Sequence, residues 1–271
     1  MTTQRPLVSY DAFVEIATAD PAVVGLVLKG SRAHEGMATA HSDHDLYAVL
    51  AEGAATPLTR FAGHRTPELD LVVLTLDAFR AAGMPGFERY ALARARVVLD
   101  RLDGEIARIL SAKARLDTDE ARREAAAYLD AYANSLYRSV KNARDGQPLA
   151  SRLDAADSVR FLLEFLFALD RRPRPYNKYL HWELSRFPLP DWDTGHLLDT
   201  VAHISATGDV PAQRDWTGGA RTCACFRPAC HSRNCRHPWV GIAPRALAGC
   251  DLEVDMQSHY LALASVHAHE R

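Results

Sequence analysis

The chain has 271 residues, 48% hydrophobic and 24% charged, enough apolar material for a full core and two domains, and this composition argues against a disordered chain. A formal net charge of -2 argues against sequence-independent nucleic-acid binding, which needs a basic excess, and favours a small-molecule substrate. The first residues carry Asp11, Glu15 and Asp20 with no apolar h-region, and no apolar run reaches the roughly 18–20 residues of a membrane helix, so a cytoplasmic location with no membrane partner is expected.

In chain order, residues 9–19 read as a helix with Ser9 or Asp11 as N-cap and Phe13, Ile16 and Ala17 at helical spacing. A strand over 23–28 leads into Gly30-Ser31, a short helix or turn through Ala40, and a strand over 43–50. Residues 52–67, with Gly53, Pro57, Gly63 and Pro67, read as a turn region, and 68–75 as the clearest strand. Helical pieces at 78–82 and 87–95, a strand at 96–100 and a helix at 104–114 complete a first domain over 1–116. Longer helical periodicity then begins. A stripe of Tyr128, Leu129, Tyr132, Leu136, Tyr137 and Val140 runs to Asp145-Gly146, and helices follow at 149–169, 176–186 and 194–206. The expected fold class is therefore α+β, with a mixed sheet, followed by an α-helical bundle over 117–206. Residues 207–271 form a Cys-rich tail to which no fold is assigned.

The polar residues at the strand ends carry the chemistry. Asp43 and Asp45 share one face of their strand, about 6.6 Å apart between alpha carbons, close enough to converge on one cluster of divalent ions. Mg²⁺ prefers oxygen ligands and is held by one or two carboxylates plus substrate phosphates. Asp70, in the largely apolar strand Glu68-Leu-Asp-Leu-Val-Val-Leu-Thr75, is the third candidate, because a carboxylate buried there requires a cation or a hydrogen-bond partner. Glu68 shares its face and could substitute for it. Gly30-Ser31, between a strand and a short helix, can offer backbone amides and a hydroxyl to phosphate oxygens.

Leu28-Lys-Gly-Ser31, followed after eleven residues by Asp43-His-Asp45 and later by Asp70 on a strand, resembles the signature of the DNA polymerase β-like nucleotidyltransferase superfamily. With the helical second domain, the chain looks like the small bacterial members that adenylylate aminoglycoside or lincosamide antibiotics, over residues 8–206. The resemblance implies a transferase of the EC 2.7.7 type that uses ATP or another NTP and two Mg²⁺ ions held by Asp43, Asp45 and Asp70. Asp70 would also be the catalytic base, and Gly30 and Ser31 would hold the β,γ-phosphates. His44 stands where the family usually places an apolar residue.

Pro175-Tyr-Asn-Lys-Tyr-Leu180 follows a break in the helical pattern. Lys178 is a candidate for the triphosphate, with Asn177 beside it, and Tyr176 or Tyr179 could stack on a base, although tyrosines in the core and a solvated lysine read equally well. The expected partners are a nucleotide and a hydroxylated small molecule, with the chain a monomer or homodimer. Two other readings stand beside this one: a module that modifies a protein or RNA, as in toxin-antitoxin pairs, and an HD-type metal phosphohydrolase built on His44-Asp45. All five cysteines fall in the tail. Cys223, Cys225, Cys230 and Cys235 could supply zinc, but Cys223 and Cys225 are separated by one residue where structural zinc uses wider pairs. The abrupt shift after Arg214 to Trp, Gly, Cys, Arg, Pro and His also fits a frameshifted terminus.

Overall fold

The computed structural model describes residues 8–220. The cysteines proposed for zinc and nearly all of the stretch considered for a frameshift lie outside the described residues. The chain divides into two compact units, with the boundary inside a helix at Ala121/Arg122; the first unit also takes in Arg171–Leu180.

The first unit opens with α1 (Tyr10–Ala19), started as expected by Ser9, whose hydroxyl accepts from the Ala12 amide. Four strands follow, β1 (Val23–Lys29), β2 (His44–Leu50), β3 (Leu69–Thr75) and β4 (Arg96–Asp100), with α2 (Leu76–Ala81) and α3 (Arg89–Ala93) between β3 and β4 and α4 (Glu105–Lys113) after β4. The sheet order is β3-β2-β1-β4. β1 runs antiparallel to both neighbours, and β2 pairs with β3 in parallel, so the sheet is mixed.

Strand alternation sorts the side chains into two cores. Leu26, Leu28, Leu46, Ala48, Leu69 and Leu71 pack with Phe13 and Ala17 of α1 on one face. Val27, Tyr47 and Val49 pack with Phe79, Leu92 and Ile106 of the helices on the other. Covering both faces explains why these strands read as nearly continuous apolar runs.

Two polar clusters tie the ends of the elements together. Arg89 is buried; its guanidinium donates to the carbonyls of Lys113 (2.9 Å) and Arg115 (2.7 Å) and pairs with Glu120. Lys113, also buried, donates to the carbonyls of Arg80 and Ala82 at the end of α2. Burial, and then the charge of Arg89, holds its pKa below the usual lysine value. An Arg89→Met variant takes the guanidinium from the part-buried Glu120 carboxylate and from two carbonyls, and is expected to lose about 2–3 kcal/mol of stability in urea unfolding.

Asp20, after α1, accepts from the Thr56 hydroxyl and from the Ala22 amide (2.9 Å), and these bonds, in that order, hold its carboxyl below the usual range. A depressed folded-state pKa stabilises above the unfolded pKa, and that contribution fades as pH falls through the folded one. Asp20→Ala is therefore expected to cost about 0.5–1 kcal/mol at pH 7, with the gap to wild type closing below about pH 4, in urea titrations at each pH.

The second unit is helical. α5 (Thr118–Arg144) continues into it, followed by α6 (Pro148–Leu169), α7 (Leu180–Arg186), which starts at the unit boundary, α8 (Thr194–Thr207) and α9 (Val210–Ala220). The buried line of α5 runs through Tyr132, Ser135, Leu136 and Ser139, while Tyr137 and Val140 of the expected stripe are half-buried. Small residues let helices approach closely here. Ser139 and Ser151 each donate to the other's carbonyl at 2.9 Å, and Gln213 of α9 donates to the Ser139 hydroxyl at 3.1 Å. The helix α9 continues past Arg214, where the composition shifts, and buries Trp216. Among the described residues, no helix is long and apolar enough to cross a membrane.

Candidate functional site

The parallel register of β2 and β3 sets Asp45 directly opposite Asp70, and the antiparallel register of β1 sets Lys29 opposite Asp45. Lys29, Asp45 and Asp70 thus form one row across three strands, on the same face as Tyr47, with neighbouring strands about 4.8 Å apart. Asp43 lies just before β2, which begins at His44.

The turn after β1 is built against this row. Gly30 has φ +72°, and a Cβ placed on it would lie 2.1 Å from Oδ2 of Asp45. Only glycine allows both the backbone conformation and that approach. The turn is fastened to the residue before Asp43: Ser31 donates to the Ser42 hydroxyl (2.8 Å), and Arg32 donates twice to the Ser42 carbonyl (3.1 and 2.9 Å). Ser31 is buried and its hydroxyl is spent in this fastening. His34 Nδ1 donates to the Gly30 carbonyl at 2.7 Å, and its Nε2 lies 3.2 Å from the Tyr90 hydroxyl.

Each carboxylate of the row has a cation of the chain beside it. Lys29 Nζ is 3.6 Å from Asp45, and Arg65 donates to Asp70 through Nε (3.1 Å) and a terminal nitrogen (2.6 Å). Burial pushes the Asp45 carboxyl up, Lys29 opposes this, and the charges of Asp43 and Asp70 push it further up. Crowded carboxylates of this kind favour a cation between them. Among the described residues no three or more His, Cys, Asp or Glu side chains are grouped so that they could hold a metal ion in this arrangement. Asp43, Asp45 and Asp70 supply the oxygen donors that a hard divalent ion prefers, with Lys29 and Arg65 standing beside two of them.

The other expected residues fall as follows. Glu68 is exposed ahead of β3, and its carbonyl accepts from the His44 amide at 2.8 Å, so Asp70 is the one that faces Asp45. Tyr176, Asn177, Lys178 and Tyr179 belong to the same unit as the sheet. Tyr179 is buried and stacks on His34 at 4.0 Å between centroids, so the His34 ring occupies one of its faces. Tyr176 stacks on Phe87, which is 84% exposed, and donates to its carbonyl; burial and the Glu88 charge push its phenol up to about 12. Asn177 accepts from Arg174, and Lys178 is exposed with its ammonium 5.5 Å from the Tyr179 ring centroid.

His44 occupies a strand and faces away from Asp45, stacking on Tyr10 at 4.0 Å with Nδ1 directed at the Glu68 carbonyl. That corrects the HD-type reading, which needs both residues on a helix facing one metal. It also accounts for His44 itself as packing of α1 on the sheet.

Sequence reasoning missed Lys29, Arg65 and Glu88. Lys29 carried a signal, a lysine closing an apolar strand immediately before Gly30, but its partner depends on strand register. Arg65 reaches Asp70 only because residues 64–66 fold back antiparallel to 69–71.

No protein-family model matches this chain, and no curated protein does. Among solved structures it is similar to a nucleotidyltransferase-like protein from Exiguobacterium sibiricum 255-15, at 10% sequence identity and a TM-score of 0.39, over 78% of this chain and 75% of that one. The architecture itself is an α+β unit with a four-stranded mixed sheet, followed by a helical region. The functional reading rests on the side chains.

Proposed function

We propose that the chain is a Mg²⁺-dependent nucleotidyltransferase that moves a nucleoside monophosphate, AMP from ATP as first choice, to a hydroxyl of a small molecule such as an aminoglycoside or lincosamide antibiotic. The observation that carries the reading is the in-register pair Asp45 and Asp70 with the Gly30 turn packed on the Asp45 carboxylate. Asp43, Asp45 and Asp70 would hold the ions, which when bound neutralise triphosphate charge and acidify the acceptor hydroxyl. Arg65 is 79% exposed and can leave Asp70 at little cost. Asp70 then takes the proton of the acceptor hydroxyl, whose oxygen forms a bond to the α-phosphorus as the bond to the bridging oxygen breaks and pyrophosphate leaves. The Gly30-Ser31 backbone would receive the β,γ-phosphates. The Tyr176 and Phe87 ring pair offers a stacking surface for a base, and Lys178, which is exposed, is a cation for the phosphates.

The test is incubation of the full chain with Mg²⁺, each labelled nucleotide and a panel of hydroxylated antibiotics, metabolites, RNA and protein acceptors. Pyrophosphate release with a small-molecule acceptor is expected. Release with only protein or RNA would move the acceptor class, and no release above an Asp43→Ala control would sink the reading.

A further inference from the structure

Lys29 belongs to two carboxylates at once. Its ammonium is 3.1 Å from Glu88 and 3.6 Å from Asp45, and 5.4 Å from the Tyr47 ring centroid, on a side chain only 15% exposed. The Glu88 contact is within hydrogen-bond range and the Asp45 contact lies beyond it. The Glu88 side chain is 37% exposed and that of Asp45 24%, so Glu88 is the better solvated of the two carboxylates. Glu88 is thereby a prepared second station for the ammonium.

From this geometry we infer that Lys29 is a tethered counter-cation of the carboxylate row. It neutralises Asp45 while no divalent ion is bound and passes wholly to Glu88 when one enters, so that ion affinity is set by competition with Lys29. The inference rests on the reading that Asp43, Asp45 and Asp70 hold a divalent cation. The physical argument is short. A divalent ion on Asp45 repels an ammonium a few ångströms away, and the longer contact is the cheaper one to break. The handover needs no new partner, because the bond to Glu88 already exists. No charge is left stranded in a half-buried site.

The experiment measures Mn²⁺ affinity of the full chain without nucleotide, by electron paramagnetic resonance of the free ion. Lys29→Met is expected to bind Mn²⁺ about tenfold more tightly, since a nearby positive charge is gone. Glu88→Gln removes the second station and is expected to weaken binding by about fivefold, but by less than about twofold in the Lys29→Met background, because Glu88 acts through Lys29. The cycle separates handover from simple charge. Unchanged or weaker binding by Lys29→Met overturns the inference, as does a Glu88→Gln effect of equal size in both backgrounds. Should Lys29→Met fail to fold, Glu88→Gln alone still tests it, because tighter or unchanged binding by that variant overturns it. Wild-type protein with no saturable Mn²⁺ binding that Asp45→Asn abolishes would instead remove the metal reading, and the inference with it.

Discussion

An Asp45→Ala variant is expected to release pyrophosphate at least ~10³-fold more slowly than wild type, a loss of several kcal/mol of transition-state stabilisation. It is expected to be no less stable in urea. The two outcomes follow from the same environment. Asp45 is partly buried between Asp43 and Asp70, and its carboxyl is pushed up by burial and by both of their charges, so its ionised form is held at a cost. Its removal leaves Lys29 paired with Glu88, so no buried charge is abandoned. Groups retained at a cost to stability are characteristic of functional sites. A large stability loss with activity retained would show that Asp45 is a structural carboxylate.

Gly30→Ala is expected to be damaging on both counts. The added Cβ would meet the Asp45 carboxylate at 2.1 Å, and the residue would have to hold φ +72°. The conformation alone costs about 1 kcal/mol, and displacing the carboxylate brings the expected loss to about 2–3 kcal/mol. Activity should fall about 100-fold, because a carboxylate moved by about 1 Å no longer meets its partners. Gly36 supplies the control: it has φ +76° with open space around its would-be Cβ, so Gly36→Ala should show only the conformational cost. Adding Asp45→Ala to Gly30→Ala should restore the excess stability, since the clash partner is gone. If Gly30→Ala and Gly36→Ala cost the same in denaturant titrations, the close approach of turn and carboxylate is not what Gly30 is for.

Much of the first unit was legible in the chain. The strands expected over 23–28, 43–50 and 68–75 match β1, β2 and β3 to within a residue at each end, because both faces of the sheet are covered and the runs are largely apolar. Ser9 read as a cap because a hydroxyl there can satisfy a first-turn amide. Asp70 was preferred over Glu68 on local grounds; the register sets Asp70 opposite Asp45, and Glu68 is exposed. Other features were not legible. Arg171–Leu180 read as part of the helical domain because it lies among helices in sequence, yet Leu116 and Arg171 exchange hydrogen bonds and Tyr179 stacks on His34. Ser31 read as a phosphate ligand, but its hydroxyl reaches Ser42, eleven residues on. The helix α9 was missed because the composition changes inside it, after Arg214, so the buried Trp216 fell within the stretch read as aberrant.

What the sequence determined by itself is the set of chemical groups and their local setting: two aspartates two residues apart at the head of one strand, a third in another, and a Gly-Ser turn, because periodicity and turn chemistry are properties of neighbours along the chain. Which cation stands beside which carboxylate was decided only by tertiary structure. Lys29 faces Asp45, Arg65 holds Asp70 and Glu88 shares Lys29 through strand register and helix placement, and register is set by the packing of whole faces, which no local stretch encodes.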